Sequence, residues 1–408
     1  MRRLLPEDPA VRQMALATLV NTIGNGCFFT LSALYFTRIV GLSAVEVGLG
    51  LSIAAGVALF AGVPTGHLAD RYGPREVQVV LLVALTALSG LYLVVSEWWQ
   101  FVSVATFVSV TMSGAGTVRS ALIAGLVQGA DRSSTKAYLR AITNVGMTIG
   151  TGLAAVALHL DTREAYLGCL AVNVATFAVT ALMMARVTHV APTPADEALG
   201  MLTALRDAPY VAVVLASAVL TMHFWILEIA LPLWVVDHTD APRWIVSVLM
   251  VVNTGAVVLA QVAVARRVGS VRSAVRATAL SGVLFLGACA VFGTTSRMAA
   301  GLAAAVLVLG AAVHVAGELL QSAGSFVFSF ELPPEGAMGQ YQGVWGLNFG
   351  IASFIAPTLI ALLPLALGMA GWLALGGILL AASLLVGPAV RWAERTPRHS
   401  IGEIATAA

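Results

Sequence analysis

The stretch Gly66-His67-Leu68-Ala69-Asp70-Arg71-Tyr72-Gly73-Pro74-Arg75 decides how this sequence folds. It sets one acid and two arginines between two long apolar runs, 44–66 and 76–96. Each run matches the roughly 20 apolar residues that a bilayer-spanning helix needs. Gly66 and Gly73 permit close backbone approach and positive φ. Asp70 can accept from a helix N-terminus or from a neighbouring arginine, while Arg71 and Arg75 suit an anionic leaflet. The pattern predicts a turn between two spanning helices, with Asp70 as a conformational latch that holds in one state and releases in another. A plain turn rich in positive charge is the alternative.

Outward from this turn the same alternation fills the chain. Of 408 residues, 59% are hydrophobic and 10% charged, against roughly a quarter charged in soluble domains. Apolar runs at 12–37, 44–66, 76–96, 99–128, 137–160, 164–185, 210–236, 244–265, 273–293, 298–325, 341–363 and 371–391 predict an all-α membrane protein of twelve transmembrane helices. A longer polar connection, 186–209, holds Pro192, Pro194, Asp196, Glu197, Arg206 and Asp207. It separates an N-terminal six-helix bundle, 1–185, from a C-terminal bundle with a short tail, 210–408. Internal echoes support two pseudo-symmetric halves. Leu68-Ala69 with Gly73 aligns with Val264-Ala265 and Gly269, and Asn144-x-Gly146 aligns with Asn348-x-Gly350. The start, with Arg2 and Arg3 followed by Pro6, Glu7, Asp8 and Pro9, reads as the approach to a retained first helix and not as a cleaved signal.

The formal net charge of +2 and the absence of a basic block give no footing for nucleic-acid binding. Cys27, Cys169 and Cys289 all fall in apolar runs, so no disulfide framework is expected. There is no phosphate-binding loop, zinc-spaced Cys/His set or serine elbow. Neither an enzyme nor a cofactor is expected.

The Gly66–Arg75 stretch resembles the G-x-L-a-D-R-x-G-x-[KR] signature of the major facilitator superfamily, over a chain whose span count also fits. Within it, Arg119-Ser-Ala-Leu-Ile and Gly-Glu318 resemble the bacterial twelve-helix proton-linked multidrug efflux group. The resemblance implies a central cavity lined by the first, fourth, seventh and tenth helices. One departure favours import over export: the stretch Gly146-Met-Thr-Ile-Gly150-Thr-Gly152 lacks the proline that efflux members carry after the second glycine. Tight helix packing is the plainer role for those small residues. In the second copy of the turn, Arg266 stands where the acid would be, so a second latch is not expected.

Ionisable groups at membrane depth cost roughly 2.5–3.5 kcal/mol each on insertion scales and are functional candidates by default. The interior set is Arg119, His223, Glu228, His314 and Glu318, with Glu46 near the outer end of the second helix. His314, Glu318 and Gln321 share a helix face by spacing. An intramembrane pair between Arg119 and Glu318 is expected, with Glu318, His314, Arg119 and Glu228 as the proton-coupling candidates. A static pair that fixes packing is the alternative. Candidate cavity residues are Asn21, Asn25, Trp225, Gln321, Asn144 and Asn348, and the asparagines serve equally well as interhelical hydrogen-bonding groups. Phe28, Phe29 and Trp345 offer apolar wall or lipid contact. His223 reads as a core histidine that points away from Glu228.

The expected function is secondary transport by alternating access, as proton-coupled efflux of an amphiphilic drug-like molecule. Proton-coupled import of a nutrient is the first alternative and a non-transporting sensor the second. The expected partners are that small molecule, protons and membrane lipid, for a monomer in a bacterial cytoplasmic membrane. Seventeen Arg and Lys residues fall at the N-terminus, the even-to-odd loops and the tail, against four on the opposite face. That asymmetry places both termini in the cytoplasm. Cysteines introduced in the loops after the second, sixth and eighth helices should therefore resist impermeant thiol reagents in whole cells, and those at 38–43 and 237–243 should react. The reverse pattern would invert the orientation.

Overall fold

The computed structural model describes residues 8–129, 131–192, 202–334 and 336–396. Arg2, Arg3 and Arg398, and Pro194, Asp196 and Glu197 of the central connection, lie outside the described residues. Among those residues there are helices and no strands. The spanning helices are α1 (Pro9–Ile39), α2 (Ala44–Ala58 with Gly62–Tyr72, bent by 45°), α3 (Pro74–Val94), α4 (Trp98–Leu126), α5 (Asp131–Leu160), α6 (Arg163–Ala185), α7 (Ala208–His238), α8 (Ile245–Arg267), α9 (Val271–Arg297), α10 (Ala300–Glu331), α11 (Met338–Leu365) and α12 (Met369–Arg395). Eleven qualify singly by length and hydropathy, and the bent pair supplies the twelfth.

Local chemistry sets several of the starts. Asp8 accepts from the amides of Ala10 and Val11, with Pro9 at the first helical position of α1. Glu46, an interior candidate by sequence, instead completes a capping box at α2: its carboxylate accepts from the Ser43 amide at 2.8 Å, and Ser43 Oγ accepts from the Glu46 amide at 3.2 Å. Asp207 caps α7 through the Tyr210 amide. α11 differs, because its N-cap position is Ala337 and supplies no side-chain acceptor.

Buried apolar side chains gather into two large clusters, one drawn from α1–α6 and the other from α7–α12. Val63 and Ala137 cross into the second and Phe330 into the first, which marks where the halves meet. Within the first half, Gly146 and Gly150 of α5 face α1 so closely that a Cβ at either would overlap Thr22 or the Ile23 carbonyl. That stretch is a packing surface. α5 begins at Asp131, six residues before the apolar run, and Lys136 and Arg140 turn from it to the space between the halves. As interior charges these two leave the loop count, which falls from seventeen to fifteen.

The halves close on each other at the end that carries Asp70. There α2 and α11 cross backbone to backbone: a Cβ at Gly66 would strike the Gly339 carbonyl, and one at Gly343 would strike the Gly62 carbonyl. Asp70 lies buried in this seam, and its carboxylate accepts from the amides of Gly339 at 2.7 Å and Gln340 at 3.0 Å. These are donors of the first turn of α11, which no intrahelical carbonyl can satisfy. The cap missing from α11 comes from the other half of the molecule.

Any side chain at position 66 should wedge this end apart. Gly66→Val, combined with Ser325→Cys in the cavity wall, is expected to raise thiol labelling from the Asp70 side about tenfold, the change produced by about 1.4 kcal/mol. Labelling with the same side preference as Ser325→Cys alone would show that the glycine seam does not control closure.

Candidate functional site

Between the halves lies a cavity of about 840 Å³ whose wall includes Met112, Arg119, Lys136, Phe224, Trp345 and Asn348. That is within the roughly 300–1,000 Å³ usual for small-molecule sites. Phe29 and Phe349 also line it and are 50% and 57% exposed.

The centre of the wall is an ion pair that joins the halves. Arg140 of α5 donates to Glu318 Oε1 of α10 at 2.6 Å and to Ser322 Oγ at 2.6 Å. Asn253 of α8 donates to the other carboxylate oxygen at 2.7 Å, and the Phe224 ring packs under the guanidinium, 4.8 Å from its carbon. Glu318 is buried. The expected Arg119–Glu318 pair is not formed. The reason is placement: Arg119 faces the cavity, whereas Glu318 lies behind the wall, bonded by a guanidinium on α5 and an amide on α8. Arg119 lines the main cavity and a second one of about 110 Å³, and among the described residues it forms no ion pair.

His314 and His223 sit behind Glu318. α7 breaks at Met222–His223, where amides reach back three residues instead of four, and the His223 carbonyl lies 3.1 Å from His314 Nε2. A carbonyl only accepts, so Nε2 carries the hydrogen. Among the described residues, no partner lies within hydrogen-bond geometry of either ring nitrogen of His223 or of Nδ1 of His314, and Gln321 is the neighbouring side chain of His223. The imidazoles are 5.3 Å apart, and His223 stacks on Phe285. His223 is fully buried in the core, with its ring beside Phe285 and His314. His223, His314 and Glu318 present atoms within 4.8 Å of one another, a donor set able to hold a divalent ion. The Arg140 guanidinium already bonded to Glu318 competes directly with such an ion.

The other candidates separate. Gln321 and Asn348 are on the main wall. Asn25 donates to Asn21 at 3.0 Å and accepts from Asn173 of α6 at 3.2 Å, beside the smaller cavity; these asparagines bond between α1 and α6. Trp225 is buried against Phe349. Neither it nor Asn144 is on the wall of either cavity. Glu228 falls in a π-helical turn, Ile226–Ala230, and is exposed. Around the turn, Asp70 makes the contact across halves, whereas Arg75 donates to the Ala185 carbonyl and pairs with Glu76. Arg71 lies over the Tyr72 ring, and Gly73 has φ of 94°.

Sequence reasoning missed the site roles of Lys136, Arg140, Asn253 and Ser322. A signal existed for two of them: Lys136, Arg140 and Asn144 recur every four residues and share one helix face. Asn253, a lone amide in an apolar span, carried a fainter one.

The family model for the Major Facilitator Superfamily matches residues 14–357. Compared with curated proteins, the sequence matches none. Among solved structures, a bacterial homologue of the iron transporter ferroportin in the outward-facing state is 16% identical, with a TM-score of 0.73 over 95% of this chain and 100% of that one. The transporter FucP in the outward conformation is 12% identical, with a TM-score of 0.71 over 95% and 99%. The human organic anion transporter MFSD10 (TETRAN) is 15% identical, with a TM-score of 0.66 over 93% and 100%. At such identities these structures speak to the fold alone. The chain belongs to the Major Facilitator Superfamily and is a multi-pass membrane transporter, not an enzyme.

Proposed function

We propose that the protein is a proton-coupled secondary transporter of an amphiphilic small molecule, in which Glu318 carries the proton. The observation behind this is the bond from Arg140 to Glu318, because it crosses between halves at the cavity wall. Rocking of the halves breaks and remakes that bond. A carboxylate left in an apolar interior without its guanidinium is costly and is relieved by taking a proton. His314, one helical turn from Glu318 with Nδ1 free, is placed to relay it. Asp70 acts as the latch of the closed end, and Arg119 supplies fixed positive charge to the wall.

The likeness to efflux members supports export in exchange for protons. Two observations favour the opposite coupling: the proline absent after Gly150, and the occupancy of Arg140. A substrate that needs Arg140 free binds together with the proton that releases Glu318, whereas a substrate that needs the Glu318 charge competes with it. Proton cotransport is the reading we adopt. The carrier works as a monomer in lipid, in a bacterial cytoplasmic membrane with both termini cytoplasmic, on the count of fifteen cationic residues against four.

Glu318→Gln mimics the protonated acid and fixes the switch. A compound panel on cells with and without the gene identifies a substrate, which is then added to proteoliposomes. The parent should show substrate-driven proton flux, and Glu318→Gln should lose about tenfold or more of it, as expected where one partner of a buried pair is removed. Equal flux would take Glu318 out of the coupling and leave Glu228 to be tested.

A further inference from the structure

Every ionisable side chain on the wall of the main cavity is a cation: Arg119, Lys136 and Arg140. No acid is on it. Glu318 is buried behind it and reaches the wall only through Arg140, and Glu228, exposed on α7, is absent from the wall. One of three cations is thus matched. Among the described residues, Lys136 Nζ has only the Ser329 hydroxyl at 3.3 Å and the faces of Phe330 and Phe326 at 4.9 and 5.8 Å. Arg119 has no ion pair and is close enough for Lys136 to feel its charge.

Two unmatched like charges in an apolar interior oppose insertion and each other. They also focus an attractive field for anions into the cavity. A guanidinium forks onto a carboxylate, sulfonate or phosphate through paired hydrogen bonds, and an ammonium serves as a point charge for the same groups. Around them the wall sets five aromatic rings, Phe29, Phe224, Phe326, Trp345 and Phe349, among hydroxyl and amide side chains. We infer that the substrate is an organic anion with an apolar body, its charged group held by Arg119, Lys136 and Arg140.

This inference rests on the carrier reading above and fixes its coupling. When a proton neutralises Glu318, the Arg140–Glu318 bond loses its charge and Arg140 becomes available to the incoming anion. Proton and anion each promote the other's binding, as linkage requires. One proton and one monoanion cross together with no net charge. The membrane potential then contributes nothing, and the drive is about 1.36 kcal/mol per pH unit.

Purified full-length protein is titrated with a series that shares one apolar body: 6-phenylhexanoate, 6-phenylhexanamide and 6-phenylhexylamine. The carboxylate should bind about tenfold or more tightly than the amide or the amine, and the preference should weaken with added salt. Arg119→Gln and Lys136→Gln should each reduce carboxylate affinity about tenfold and leave the amide unchanged; Arg119→Lys should restore most of the loss. Phosphatidylglycerol in the titration distinguishes two sources of the anion. Competition assigns the site to a lipid anion and lack of competition to a soluble one, and both outcomes uphold an anion. Equal affinities, tighter binding of the amine, or no carboxylate binding would overturn the inference. If the carboxylate is preferred but Glu318→Gln leaves proton flux intact, the coupling reading fails and the anion site stands.

Discussion

The arrangement depends on a helix that cannot cap itself. α11 starts at Met338 behind Ala337, with no side chain of its own to receive its first amides. Those amides meet Asp70 of the other half, in a seam narrow enough that only glycine fits at positions 66, 339 and 343. Hydrogen bonds to a charged group contribute about 1.5–3 kcal/mol, and a helix N-terminus adds about 0.3–1 kcal/mol to a nearby anion. Burial of the Asp70 carboxylate offsets part of this, and the balance is what the proposed latch needs: enough to favour closure at one end and small enough for binding energy to reverse. A covalent or heavily apolar seal would hold better and could not alternate.

Closure at that end shapes the site. With α2 against α11, the Phe326–Phe330 segment of α10 lies beside α5, and Arg140 reaches Glu318 and Ser322. The pair is buried on its acid side and open to the cavity on its cation side, with side chains 3% and 23% exposed. Removing either member of a buried pair costs about 3–5 kcal/mol, the sensitivity that the proposed proton and anion coupling requires and that a surface pair lacks. Arg38–Asp161 is such a surface pair: both side chains are more than half exposed, and it contributes at most about 1 kcal/mol.

The spans were legible because hydrocarbon tolerates little else than about 20 apolar residues in a row. The bend of α2 near Leu59–Ala61 was not, since the apolar run continues through it. Asp70 could be read as an acceptor for a helix N-terminus, but which helix is a fact of tertiary structure. Polar residues Asp131–Lys136 hid the first turns of α5, so Arg140 was counted as a cytoplasmic charge although it lay inside the apolar run. Arg119 was matched to Glu318 on depth along two equivalent helices, and depth says nothing about which wall a side chain occupies. The break of α7 at Met222–His223 was likewise hidden, because no proline or glycine announces it.

The central claim, that Asp70 holds the closed end by capping α11 across the halves, can be read from two amides. Gly339 and Gln340 lack intrahelical partners by position, so their protection from hydrogen exchange comes from Asp70 and the seam around it. Exchange should be followed in lipid nanodiscs for the peptide that begins α11, in the parent and in Asp70→Asn. The account predicts at least about tenfold faster exchange there in the variant, with α6 and the Asn348–Ala356 segment unchanged. Equal protection in both proteins would contradict it.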